Sequence, residues 1–256
     1  MAGTSNQPPV RLPAGGTTDW PWQPLADCGA GNPFFYHSFY DDMDSSLTVT
    51  GAYTVTKTGT GTAANTPGDG GLGLLTTQAV AGTDIVAIQL PAADFTLTLG
   101  LKLFFQARIQ LNDVINNLFL AGIIQTTATP FTVTDGVYFL KGAGATNLSI
   151  NSAVGGVITS VAIPVAAFTL TNNINVDIAF YLTRQGDIVA FVDSKLVGFI
   201  PQSGTGTQSP PNAGVVARIT APALTAVVLN PTIALQSGTT GAKTLILDYV
   251  AVQKER

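Results

Sequence analysis

Residues 174–200 read INVDIAFYLTRQGDIVAFVDSKLVGFI, and this stretch decides the fold class. In its first part Ile174, Val176, Ile178, Phe180 and Leu182 alternate with Asn175, Asp177, Ala179, Tyr181 and Thr183. Successive side chains of a strand point to opposite sides, so strict alternation marks a strand with one buried and one solvated face. Arg184-Gln185-Gly186-Asp187 then supplies a tight turn, after which 188–193 returns as a second strand and 197–200 follows as a third. Half-apolar strands joined by short turns belong to an antiparallel sheet packed on a single core.

The same period runs outward in both directions. In 102–111, KLFFQARIQL, Leu103, Phe105, Ala107, Ile109 and Leu111 point one way and Lys102, Phe104, Gln106, Arg108 and Gln110 the other. In 47–57, LTVTGAYTVTK, Leu47, Val49, Tyr53 and Val55 oppose Thr48, Thr50, Thr54 and Thr56. Further strands are expected over 34–40, 72–78, 85–90, 118–124, 137–140, 215–219 and 244–252, with turns at 67–71 and at Asp135-Gly136. About twelve to fourteen strands with frequent turn signals predict an all-β sandwich or jelly roll.

Composition agrees. The chain has 256 residues, a length one β-sandwich domain can fill. Charged residues are 10%, against roughly 25% in an average soluble domain. Glu255 is the only glutamate, so the usual material of helix surfaces is missing. A net charge of −4 offers no basic footprint for nucleic acid. No apolar run is long enough to span a membrane; the nearest, 157–170, is broken by Thr159, Ser160 and Pro164. The first residues lack the apolar core of a secretory signal. One cysteine, Cys28, excludes an intrachain disulfide or a thiolate metal cage. Solvent-facing strand positions carry Thr, Asn, Gln and Ser in place of Lys and Glu, a choice that suits a sheet face meeting another subunit.

The expected organisation is an extended Pro/Gly-rich arm over 1–32 and a sandwich over 33–256. Trp20 and Trp22 lie in the arm and need an apolar surface, their own domain or a neighbouring subunit.

Chemistry is sparse. The single histidine, His37, stands among aromatics and is not expected to act as a base. Cys28 is a spectator in the arm. Asp41, Asp42 and Asp44 read as a solvated turn whose spacing would also suit Ca²⁺. Glycoside hydrolysis needs two carboxylates across a cleft, and Asp113, Asp135, Asp177, Asp187, Asp193 and Asp248 are isolated in sequence. No catalytic residue, cofactor or metal is therefore assigned. Phe104, Gln106, Asn175 and Tyr181 lie on polar strand faces and are candidate contacts to a glycan or a subunit.

Six segments, FFYHSFYDDMD, GGLGLLTT, LKLFFQARIQL, DGVYF, the hairpin VDIAFYLTRQGDIVAFVDSKLVGFI and TLILDYVAV, come in the order found in concanavalin A-like (laminin-G-like) jelly rolls, and the chain resembles that family over 34–256. Asp193-Ser194 stands where the family hairpin usually has Asp-Gly. The resemblance implies the fold; the E-x-D-x-x-E strand of its sugar-cleaving members has no counterpart here. The Thr-rich, nearly Glu-free composition and the arm are also similar to tailed-bacteriophage capsid decoration (cement) proteins. That likeness implies a non-enzymatic virion protein on the capsid exterior, forming a homotrimer and binding the major capsid protein. The alternative is a carbohydrate-binding module of a fibre or cell surface.

Overall fold

The structure is a computed structural model and describes residues 36–44, 47, 53–68, 71–78, 84–91, 95–96, 101–183, 186–200, 227–239 and 241–255. Among these residues the regular elements are strands alone. In chain order they are β1 (Tyr36–Asp41), β2 (Thr54–Thr58), β3 (Thr62–Thr66), β4 (Leu72–Thr77), β5 (Ile85–Gln89), β6 (Phe95–Thr96), β7 (Leu103–Leu111) and β8 (Asn117–Ile124). There follow β9 (Gly136–Lys141), β10 (Ser149–Val154), β11 (Val157–Ala162), β12 (Asn175–Leu182), β13 (Ile188–Val192), β14 (Lys195–Ile200), β15 (Val228–Ser237) and β16 (Lys243–Glu255).

The strands form two antiparallel sheets of a sandwich. The first runs β14-β13-β12-β7-β16-β4-β3, with β1 beside the far half of β16; the second runs β11-β10-β9-β8-β15-β5-β2, with β6 beside β15. Alternation on β7 and β12 sends their apolar residues into the space between the sheets. Leu103, Phe105, Ala107, Ile109 and Leu111 meet Val176, Ile178, Phe180 and Leu182 in one core with residues of the opposite sheet. Phe105 stacks on its register partner Phe180 with ring centroids 5.1 Å apart, and Phe139 of β9 leans on Phe180 from across the sandwich. Ile174 does not share this burial: β12 begins one residue later, and Ile174 is exposed. Tyr53 enters the core as expected, whereas Val55 keeps the same orientation opposite Ile88 but is left partly exposed because β2 is an edge strand.

Strands β3, β6, β10, β11 and β15 have no counterpart in the sequence reading. The omission of β15 has a physical cause. Pro231 stands in its middle, and proline has no N–H to give a ladder. The structure places that residue where the neighbours change: β5 pairs with Thr232–Gln236 and β6 with Val228 and Leu229. Leu90 N donates to Pro231 O on this side, so the missing donor falls at the break between β5 and β6.

Part of the outer face of the second sheet is covered by the chain itself. Between β8 and β9 the connection folds back, and Phe131 and Val133 cover Ala87, Leu120, Ile124, Tyr138 and Ala234 in a second, smaller cluster. Part of the low-charge sheet surface that composition assigns to subunit contact is thus internal to the fold. The arm (1–32), Trp20, Trp22, Cys28 and the strand expected over 215–219 lie outside the described residues.

Candidate functional site

The outer face of the first sheet carries a charged and aromatic cluster that three neighbouring strands bring together. Cross-strand register aligns Asp177 of β12 with Arg108 of β7, and Arg108 with Tyr249 of β16. Strand β16 reaches this register through a β-bulge between Leu247 and Tyr249. Leu245 and Leu247 point into the core before it, Val250 and Val252 after it. The extra residue shifts the alternation by one, so Asp248 and Tyr249 both face outward.

Arg108 lies between two carboxylates, its Nη1 3.6 Å from Asp248 Oδ2 and its Nε 3.9 Å from Asp177 Oδ1. The Tyr249 hydroxyl donates to Asp177 Oδ1 at 2.9 Å and accepts from Gln106 Nε2 at 2.6 Å. The remaining amide oxygen of Gln106 is buried without a partner. On β1, Tyr40 stacks on Tyr249 with centroids 6.2 Å apart and planes 23° apart, and Tyr40 is 54% exposed. Asp193, in the β13–β14 turn, fixes Asp177 from behind: its Oδ1 accepts from Asp177 N at 3.0 Å, and its own N donates to Asp177 O at 2.8 Å.

These surroundings keep both phenols protonated. Burial, then the charge of Asp177 and the hydrogen bond to it, push Tyr249 far above the usual phenol range, with Arg108 offsetting part of the rise. Tyr40 is raised by burial and then by Asp42, Asp248 and Asp41. The face therefore presents an aromatic plate beside a guanidinium, two carboxylates and the Tyr40 hydroxyl.

The expected site residues divide. Asn175 is exposed at one end of this face and accepts from Gln110 Nε2 through Oδ1 at 3.2 Å. Phe104, Gln106 and Tyr181 do face outward from β7 and β12, but all three are buried, so none is a solvent-facing contact. Asp41, Asp42 and Asp44 form a turn: Asp41 Oδ1 accepts from Met43 N at 2.8 Å, and Met43 takes a left-handed φ of 60°. Among the described residues no three of His, Cys, Asp and Glu gather as a metal site. His37 sits on β1 opposite Lys254.

Tyr40, Arg108, Asp177, Asp248 and Tyr249 are the residues that sequence reading did not select. One signal was present. In LILDYVAV the apolar alternation skips a beat at Asp248-Tyr249, which is how a bulge looks in sequence.

A second charged cluster closes one end of the sandwich. Lys243 Nζ meets Asp113 Oδ2 at 2.8 Å, with both side chains largely buried. Burial would raise Asp113, but hydrogen bonds from Lys243 and Asn116 outweigh it and hold the carboxyl well below the usual range. Nearby Lys141 is fully buried, donates to Asn117 O at 2.5 Å and to Ile115 O at 3.4 Å, and is pushed down by burial to about 8. Every partner here is a backbone carbonyl, an amide or an opposite charge, as befits a polar cap over a core.

No family model matches the chain, and no curated protein matches it. Solved structures do match. A protein of unknown function from Shewanella oneidensis is similar at 12% identity and a TM-score of 0.55, over 86% of this chain and 87% of that one. The β-glucanase of Bacillus licheniformis is similar at 13% identity and a TM-score of 0.52, over 84% and 97%. Botulinum neurotoxin type C, whose passage into cells depends on interaction with two ganglioside molecules, is similar at 12% identity and a TM-score of 0.53, over 88% of this chain and 49% of that one. These likenesses show the fold, a concanavalin A-like jelly roll.

Proposed function

We propose that the protein is a carbohydrate-recognition module that binds a saccharide on the outer face of the first sheet without cleaving it. The observation that carries this reading is the half-exposed Tyr40 ring, stacked on Tyr249 and set beside Arg108, Asp177 and Asp248. A sugar ring has an apolar face and a polar rim. An aromatic plate accepts the former, and hydroxyls of the latter pair with carboxylates, a guanidinium and phenols. The fold's occurrence in glucanases and in a ganglioside-dependent toxin supports sugar as the ligand class.

Binding fits the geometry better than hydrolysis. A glycosidase needs one carboxyl set apart as acid and another as nucleophile or base. Here Asp177 and Asp248 share one guanidinium, and Asp177 is also held by Tyr249 and by the Asp193 turn. Asp177 is oriented as a hydrogen-bond acceptor, and Asp248 is paired with the same guanidinium. The capsid reading rests on composition, low-charge sheet faces and the arm, whereas the cluster on the first sheet favours recognition.

A glycan array probed with the full chain, followed by calorimetry on each hit, tests the proposal. Tyr40→Ala is expected to weaken binding about tenfold or more while leaving thermal unfolding unchanged. Absence of any hit, or full affinity in both Tyr40→Ala and Asp177→Asn, would overturn it.

A further inference from the structure

We infer that the bound saccharide is a chain of neutral sugars lying along β7, from the Tyr40–Arg108 cluster to a second contact formed by Gln110 and Asn175; this rests on the saccharide reading above. Outward positions on β7 fall at Gln106, Arg108 and Gln110, successive steps of about 7 Å along the strand. On β12, Asp177 lies opposite Arg108, and Asn175 lies opposite Gln110. Two polar pairs therefore stand one above the other on the same two strands.

The second pair is ordered before any ligand arrives. Gln110 Nε2 donates to Asn175 Oδ1 at 3.2 Å and to Asn173 O at 3.1 Å. Asn173 is fixed in turn, with a φ of 57° and its N donating to Leu111 O at 2.7 Å. Both hydrogens of the Gln110 amide are used, which leaves its oxygen and the Asn175 NH₂ as one acceptor and one donor on an exposed surface. Such a couple matches a sugar hydroxyl, which donates and accepts, and brings no charge of its own to select a charged sugar.

The direction of the chain follows from burial. Beyond Arg108 on the other side, Gln106, its register partner Ala179 and then Phe104 and Tyr181 are all buried, so the strip is closed there. Towards Gln110 it stays open, and the half-buried Ile246, opposite Gln110 on β16, adds an apolar flank. Within the first cluster, the partnerless Gln106 oxygen, itself about nine-tenths buried, marks the closed end.

The test titrates the full chain with β-1,3- and β-1,4-linked glucose oligomers of one to four units, with wild type, Gln110→Ala, Asn175→Ala and Tyr40→Ala compared. Affinity is expected to rise from one unit to three. Gln110→Ala and Asn175→Ala should each remove about three- to tenfold of that gain and leave the single sugar unaffected. Tyr40→Ala should weaken every length. Equal affinity at all lengths, or a length gain that both amide variants retain, overturns the chain inference and leaves the recognition reading standing. Failure of every oligomer to bind overturns the inference together with the recognition of neutral glucans.

Discussion

Asp248 and Tyr249 are consecutive in the chain and lie on the same outer face of the first sheet, where consecutive strand residues normally take opposite faces. The bulge that allows this gives Arg108 its second carboxylate and Asp177 its phenolic donor from adjacent positions. Leu247 and Val250 stay in the core on either side, so the site is assembled without disturbing the packing beneath it.

A deletion separates the two roles. Removing Asp248 restores plain alternation, with Leu247 in, Tyr249 out and Val250 in, so the sheet is expected to fold with its thermal midpoint within a few degrees of wild type. Removing Ile246 instead turns Leu247 outward and Asp248 into the core. Circular dichroism and thermal melts check this; a ΔAsp248 protein as unfolded as ΔIle246 would contradict the bulge argument.

Tyr249→Phe keeps the ring under Tyr40 and removes the hydroxyl that links Gln106 to Asp177. The Gln106 amide then loses its one side-chain partner in a buried setting. A loss of about 1–3 kcal/mol is expected, read from urea denaturation.

Ser194→Gly should stabilise the protein. Asp193 and Ser194 have φ values of 47° and 65°, the left-handed pair of a two-residue hairpin turn in which the second position favours glycine. The relief of side-chain strain exceeds the entropy that glycine gives the unfolded chain, for a net gain of about 0.5–1 kcal/mol. That corresponds to roughly 2 °C in a chain of this size, measurable by calorimetry.

Lys141 predicts an alkaline rise in stability. Its amine is held at about 8 in the fold, against 10.5 in the unfolded chain. Between those values the unfolded state binds the extra proton, so stability grows with pH through this window and the gain is absent below about 8. The upper bound is about 3 kcal/mol. Lys141→Met should flatten the curve between pH 8 and 10; the same slope in wild type and variant would refute the assignment.

Sequence alone determined the fold class. The two-residue period of 102–111 and 174–183 places Phe105, Ile109, Ile178 and Phe180 in one core, because a strand has only two faces and water rejects the apolar one. The hairpin after Leu182 was equally legible: Thr183 and Asp187 close it, with Gly186 at a φ of 89°. Tertiary structure decided what local pattern does not encode. Phe104, Gln106 and Tyr181 point outward as their period requires, yet whether an outward face meets water depends on the rest of the chain, and these residues are buried. Pro231 hides a central strand because its missing N–H matters only in relation to which neighbour stands beside it. Asp177 and Asp248 are 71 positions apart in the sequence, and Arg108 stands between them because β7 pairs with β12 on one side and β16 on the other. Strand pairing is non-local, so a site spread across three strands exists only once the sheet has formed.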